Sequence, residues 1–139
     1  MKSSELLTFL DARQPMPSDK LITKEECNTF IEAINYFKSH KSNKCIPLFI
    51  FSVSDITGLG MYESISDVLM FQDNEYVKKY LRLGLKTGSD AVRYRCCWWA
   101  SDIEALDLDK EIIPLVNHAN QNVGDAAKAF VQLIDEIKL

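Results

Sequence analysis

The sequence predicts an all-α, single-domain fold in which three helix pairs stack as an α-solenoid behind two N-terminal helices. One observation is a weak internal repeat in the C-terminal two-thirds, with a period typical of stacked helix pairs. Another is that apolar residues recur at helical spacing with no hairpin pattern anywhere. In the repeat, Val92 aligns with Val123, Cys96 with Ala127, Trp99 with Phe130 and Ile103 with Ile134, while Ile50, Leu81 and Ile112 share a register in the preceding helices.

The length and composition fit one folded domain. A chain of 139 residues, 47% of them hydrophobic, can bury enough surface to fold without a disulfide or metal staple. We therefore expect residues 1–43 to form N-terminal capping helices and residues 44–139 to form the repeats, all within one domain.

Two helices are predicted before the repeats. Ser3 or Ser4 can cap a short helix that ends before a proline-containing break. Thr23 and Glu26 form a capping box, in which each side chain satisfies a backbone amide of the other residue. The helix that follows should run to about residue 40, with one apolar face made of Cys27, Phe30, Ile31, Ile34 and Phe37.

The first repeat begins with a segment that fits two kinds of secondary structure. Residues 46–53 are rich in strand formers, so a buried strand is one alternative. Pro47 suits the first turn of a helix, and the repeat register places the segment in an outer-helix position, so we favour a helix. A turn at Gly58-Leu59-Gly60 should follow, and then a partner helix over 62–71 with Ile65, Val68 and Leu69 inward.

Four helices are predicted in the remaining repeats. One covers 74–86 and should stop at Gly88, and the next is capped by Ser89 or Asp90 and runs to about residue 105. Asp109 should cap a short helix to about residue 119, which Pro114 bends or confines to its early turns. The last helix covers 122–138. The inward residues are Val77, Leu81 and Leu85, then Val92, Cys96, Trp99 and Ile103, and finally Val123, Ala127, Phe130, Ile134 and Ile137.

The clearest repeat motif opens the helix that starts near Asp90. Asp90, Val92, Arg93 and Cys96 supply a turn aspartate, a Val-Arg pair and a small residue, and Pro47 and Pro114 lie in outer helices. With this pattern, the pairs at 46–71, 74–105 and 109–138 resemble HEAT-like repeats. The third unit departs from it with Gly124 where Arg93 stands, and the first has Tyr62 at that position.

Helical-repeat proteins of this size and acidity also resemble bacterial immunity proteins, which bind toxins encoded beside them. The resemblance implies a protein partner, such as a basic toxin domain, that is blocked by occlusion without any cofactor. A helical-repeat adaptor for an endogenous protein is the alternative. An adjacent toxin-like gene would favour immunity.

Several other classes of function are disfavoured by the sequence. The formal net charge of −4 argues against nucleic-acid binding, which usually needs a basic face. His40 and His118 lie near predicted helix ends and outside any catalytic or metal-binding motif, so we expect neither an enzyme nor a metal site. No apolar run is long enough to span a bilayer and no signal peptide is visible, so we expect a cytoplasmic protein with four unpaired cysteines.

The pair Trp98-Trp99 is the most distinctive candidate for a binding site. Neighbours on a helix point about 100° apart, so the two rings cannot share one face. Trp99 continues the core stripe, whereas Trp98 should lie with Arg95 and Asp102 on the flank of its helix. Tryptophan and arginine are enriched in binding hot spots, although Trp98 could instead pack against the neighbouring repeat.

Carboxylates provide a second candidate surface. Asp102, Glu104, Asp107, Asp109 and Glu111 form an acidic run across a helix–helix turn, and this run fits either a solvated turn or a docking patch for a basic ligand. Glu63 and Asp67 are spaced to lie on one helix surface and could extend the patch. The candidate protein-binding residues are Glu63, Asp67, Arg95, Trp98, Asp102, Glu104 and Asp107.

Overall fold

The computed structural model describes residues 2–138, and the regular secondary structure of this part of the chain is all helical, without a strand. The prediction of an all-α fold is therefore confirmed. Short 3-10 turns join several helices, at Gly58–Gly60, Tyr62–Ser64, Leu106–Leu108 and Ile113–Asn117. The helices are α1 (Lys2–Asp11), α2 (Lys24–Phe37), α3 (Cys45–Ile50), α4 (Ile65–Phe71), α5 (Asn74–Thr87), α6 (Asp90–Asp102), α7 (Asp109–Ile112) and α8 (Gln121–Lys138).

The helices contact one another in two interleaved series. Helix α1 contacts α3, α3 contacts α5 and α5 contacts α7, while α2 contacts α4, α4 contacts α6 and α6 contacts α8. Contacts between the series join α1 to α2, α5 to α6 and α7 to α8. One continuous cluster of buried apolar residues extends from Leu6 in α1 to Ile134 in α8. The N-terminal helices thus share this core.

Helix α2 begins at the predicted capping box. The Thr23 hydroxyl accepts from the Glu26 amide at 3.0 Å, and the Glu26 carboxylate accepts from the Thr23 amide at 3.1 Å. The backbone hydrogen bond from Thr23 and the side-chain bond from Arg13 lower the pKa of Glu26. Ile31 does not lie on the buried face as predicted, because it is 44% exposed while its neighbour Phe30 takes the core position.

The end of α2 is fixed by a distant side chain. Helix α2 stops at Phe37, three residues before the predicted end. The side-chain amide of Gln72, which is buried just after α4, donates to the carbonyls of Phe37 at 2.8 Å and His40 at 2.9 Å. Its carbonyl oxygen accepts from the Ser42 amide at 2.8 Å. Gln72 therefore stabilises the turn that ends α2. No residue close to Phe37 in the sequence predicts this helix end.

The segment after α2 is helical, as favoured, and not a strand. Helix α3 covers Cys45–Ile50, and Pro47 stands in its first turn, where it has no intrahelical amide bond to lose. The following chain forms the predicted turn at Gly58–Gly60, where Gly58, Leu59 and Gly60 all have positive φ. A Cβ on Gly58 would lie 2.4 Å from the ring of Tyr62, so this close approach requires glycine.

Other predicted helix boundaries also differ from the structure. Residues 62–64 form a 3-10 turn, so α4 begins only at Ile65. Helix α6 ends at Asp102, before the predicted residue 105, because Glu104 turns the chain with a φ of 53°. Helix α1 is already helical at Lys2, so Ser3 and Ser4 lie in its first turn and not at its cap.

The region around Pro114 also departs from the prediction. Leu108 occupies the cap position of α7, so Asp109 is its first residue and not its cap. Helix α7 ends at Ile112, and residues up to Asn117 continue as a 3-10 turn, because proline cannot donate the bond that continues an α-helix. In α8, Ile137 is 44% exposed and not inward, since burial ends with Ile134.

The four cysteines form no disulfide. Cys45, Cys96 and Cys97 are buried, and Cys27 is partly buried. Burial raises the pKa of the Cys45 and Cys97 thiols to about 12 and raises that of Cys96 well above its ordinary value. These thiols are therefore protonated and behave as small apolar side chains.

Among residues 2–138, no helix combines the length and the apolar character that a bilayer crossing demands.

Candidate functional site

The two tryptophans of α6 lie in different environments. Trp99 is fully buried, and its indole N–H donates to the Tyr62 carbonyl at 3.1 Å. Trp98 is 36% exposed. The helical stripe predicts this division, and it leaves Trp98 as a large apolar side chain at the surface.

Trp98 lines a groove of about 640 Å³ between α4 and α6, which we call the α4–α6 groove. The groove brings together four of the seven candidate residues, from segments more than thirty positions apart in the chain. Met70, another large apolar side chain exposed to solvent, lies on the α4 wall. The lining residues are Glu63, Ser66 and Met70 on one side and Tyr94, Arg95, Trp98 and Asp102 on the other.

Arg95 has a structural partner inside the protein. The sequence predicts it on the flank with Trp98, but it is 6% exposed. Its Nε and Nη2 atoms both donate to the Ile56 carbonyl, at 3.0 and 2.6 Å. Its guanidinium also lies 5.1 Å from the centre of the Tyr94 ring. Arg95 therefore anchors the loop after α3 to α6 while contributing a positive charge to the groove wall.

Carboxylates dominate the charge of the α4–α6 groove. Partial burial raises the pKa of Asp102; nearby Arg95 opposes this shift, and Asp67 and Glu63 add to it. Asp67 lies beside the groove and pairs with Lys38 at 3.9 Å. Within residues 2–138, neither Glu63 nor Asp102 forms an ion pair. The groove thus offers two carboxylates without a cationic partner next to one engaged guanidinium.

Replacing Asp102 with asparagine is expected to raise the free energy of unfolding near neutral pH, by less than about 1 kcal/mol because water screens this exposed residue. The pKa of Asp102 is raised above its ordinary value of 3.8, so ionisation costs the folded state more than the unfolded state. That cost is absent below the ordinary value and develops as pH rises through the raised one. Urea unfolding of both proteins at about pH 3 and about pH 7 measures it.

The matched control for this experiment is Asp107→Asn, which removes one carboxylate outside the groove. This substitution should not produce a gain in the free energy of unfolding that grows with pH, because Asp107 is paired with Lys78. A loss of stability in Asp102→Asn that grows with pH would contradict the interpretation.

The predicted acidic run does not form one continuous unpaired patch. Asp107 pairs with Lys78 at 3.2 Å, and Glu111 pairs with Arg82 at 2.8 Å, so two of its members tie α5 to the segment around α7. The second carboxylate oxygen of Glu111 is buried without a hydrogen-bond partner. Glu104 stays exposed at the positive-φ turn. Asp102 is therefore the member of the run that reaches the groove.

A second groove lies on the other helix series and was missed from the sequence. It has a volume of about 650 Å³ and is bounded by α1, α3 and α5. The spacing of Tyr76 and Tyr80, four residues apart on α5, is the one sequence feature that could have indicated it. Its apolar lining residues are Leu7, Pro47, Leu48, Tyr76 and Tyr80.

The histidines and other potential metal ligands are dispersed. His40 stacks on Tyr36 with ring centres 3.9 Å apart, and the Nε2 atom of His118 lies 3.8 Å from the Asp90 carboxylate. In the described part of the chain, no three side chains of the metal-binding types converge. Comparisons with protein-family models, with curated proteins and with solved structures each found no match.

Proposed function

We propose that this protein is an immunity protein, which neutralises a cognate bacterial toxin by binding to it and occluding its working surface. The observation that carries the proposal is the α4–α6 groove. It joins a partly exposed tryptophan to two carboxylates that form no ion pair within residues 2–138, the combination of apolar anchor and complementary charge found in protein-binding hot spots.

A HEAT-like arrangement of helix pairs is part of the same proposal. It is supported by the two interleaved contact series and by the shared register of Val92 and Val123, both buried at equivalent places in α6 and α8. In such an array, neighbouring helices of one series line an extended surface. The α4–α6 groove lies between two neighbours of this kind, so a partner bound there could extend along the series.

Inhibition by occlusion requires binding and no chemical reaction. A tight complex needs a complementary surface and no cofactor, nucleophile or metal. Exposed carboxylates around the groove would attract a basic partner and accelerate encounter, while Trp98 and Met70 would supply buried area once the complex forms. The expected partner is a basic toxin domain.

The direct test is co-expression of the chain with the product of its neighbouring gene. Rescue of growth from a toxic neighbour supports immunity. If no neighbouring product is toxic and the chain instead recovers one endogenous protein at stoichiometric level, the adaptor alternative replaces it.

Charge removal in the groove should weaken capture of the toxin. We expect the double variant Glu63→Gln/Asp102→Asn to slow association by roughly three- to tenfold at low salt, with a smaller effect at high salt, because the exposed charges are then screened. Stopped-flow or surface-plasmon measurements with the purified partner give the rate. The matched control is Glu104→Gln/Asp107→Asn, which removes the same charge outside the groove. Equal slowing by both pairs would place the contact elsewhere.

A further inference from the structure

We propose that the α4–α6 groove receives an arginine side chain of the partner, seated beside Trp98 and neutralised by Glu63 and Asp102. This inference rests on the proposed binding function and deepens it by naming the group that is recognised. A single concave site that recognises one side chain binds a small arginine derivative in the absence of the partner.

The shape of the groove suits one long, partly apolar side chain. Trp98 and Met70 present apolar surface from opposite walls, and Ser66 adds a hydroxyl on the α4 side. Arginine carries a three-carbon stem that can pack on such surface while its planar head stacks on an aromatic ring. The volume of about 640 Å³ leaves room for the head and its remaining water.

The charges in the groove favour a cationic occupant. Among residues 2–138, Arg95 is the one positively charged side chain in the lining, and its Nε and Nη2 atoms both donate to the Ile56 carbonyl. Asp67 beside the groove is already matched by Lys38. Two carboxylates therefore face one guanidinium, which leaves a single net negative charge for the occupant to neutralise.

Arginine fits this combination better than lysine. A guanidinium can donate to a carboxylate through two parallel N–H bonds and can stack over an indole at the same time. An ammonium is a compact, strongly hydrated charge that gains less from the aromatic wall. The aromatic wall is what distinguishes the two cations here.

The test is an NMR titration of ¹⁵N-labelled protein with N-acetyl-arginine methylamide, followed through the two tryptophan indole N–H signals. The Trp98→Phe variant assigns them. We expect a saturable shift of the Trp98 signal with a dissociation constant on the order of 10 mM, a realistic value for one side chain. The buried Trp99 signal serves as an internal control and should stay in place.

Matched ligands and variants separate recognition of arginine from general effects. The citrulline derivative has the same shape without the charge and should not saturate, and the lysine derivative should bind at least about threefold more weakly. Glu63→Gln/Asp102→Asn should weaken arginine binding by about tenfold, whereas Glu104→Gln/Asp107→Asn should leave it unchanged. Absence of a saturable Trp98 shift with arginine, or equal shifts with citrulline or lysine, would overturn the proposal.

The titration and the growth assay fail independently. Arginine binding without protection from any neighbouring gene product would overturn immunity and keep the groove chemistry. Protection from a toxic neighbour without arginine binding would keep the proposal of immunity and overturn arginine recognition by the groove.

Discussion

Replacing Trp99 with alanine is expected to lower the free energy of unfolding by about 3–5 kcal/mol, the largest effect of any single change considered for this chain. The ring is fully buried in α6, so its removal leaves a large cavity in the core. The change also removes the buried hydrogen bond that the indole N–H donates to the Tyr62 carbonyl. Urea denaturation monitored by circular dichroism measures the difference.

Trp98→Ala is the control, because it removes the same side chain one position earlier on the same helix. Its cost should be clearly smaller, since the Trp98 ring is 36% exposed and already partly solvated. Similar large losses in both variants would show that Trp98 contributes to the core and would remove it as a surface anchor for a partner.

Replacing Gln72 with alanine is expected to cost about 2–4 kcal/mol, because three backbone groups lose their hydrogen-bond partner at once. Those groups are the carbonyl of Phe37 at the end of α2, and the carbonyl of His40 and the amide of Ser42 in the turn that follows. Hydrogen exchange should show faster exchange of the Ser42 amide, and denaturant unfolding gives the total loss.

Gln132→Ala provides the matched control, because Gln132 is an exposed glutamine on α8 whose side-chain amide donates to the Glu136 carboxylate at 3.4 Å. That substitution should change stability by no more than about 0.5 kcal/mol. If Gln72→Ala were equally mild, the turn after α2 would be held by packing and not by the glutamine.

Local patterns were sufficient to predict most helices. The capping box at Thr23 and Glu26 and the stripe from Val92 to Trp99 each depend on residues within a few positions of one another, and both are present in the structure. The division between Trp98 and Trp99 follows from helix geometry alone. Periodicity fails where two neighbours compete for one core position, as Phe30 and Ile31 do.

Long-range contacts could not be predicted in this way. Gln72 reaches back thirty-five residues to Phe37, and Arg95 reaches thirty-nine residues to Ile56. Nothing in the local sequence distinguishes either side chain from a solvated one. The same limit applies to the candidate site. The sequence placed Trp98 and Asp102 on one helix flank and Glu63 on another helix, but only the packing of α4 on α6 joins them in one groove, with Asp107 outside it.

The buried cysteines provide natural probes of how this protein unfolds locally. A thiol reacts as the thiolate, so protonated, enclosed sulfurs are inert until their surroundings separate. Cys45 lies in α3 and Cys97 in α6, in different helix series and different halves of the chain. The rate of thiol labelling at each cysteine therefore reports how often its half of the chain opens. Equal labelling rates at Cys45 and Cys97 would mean that the whole molecule opens as one cooperative unit. Different rates would mean that the helix pairs open separately.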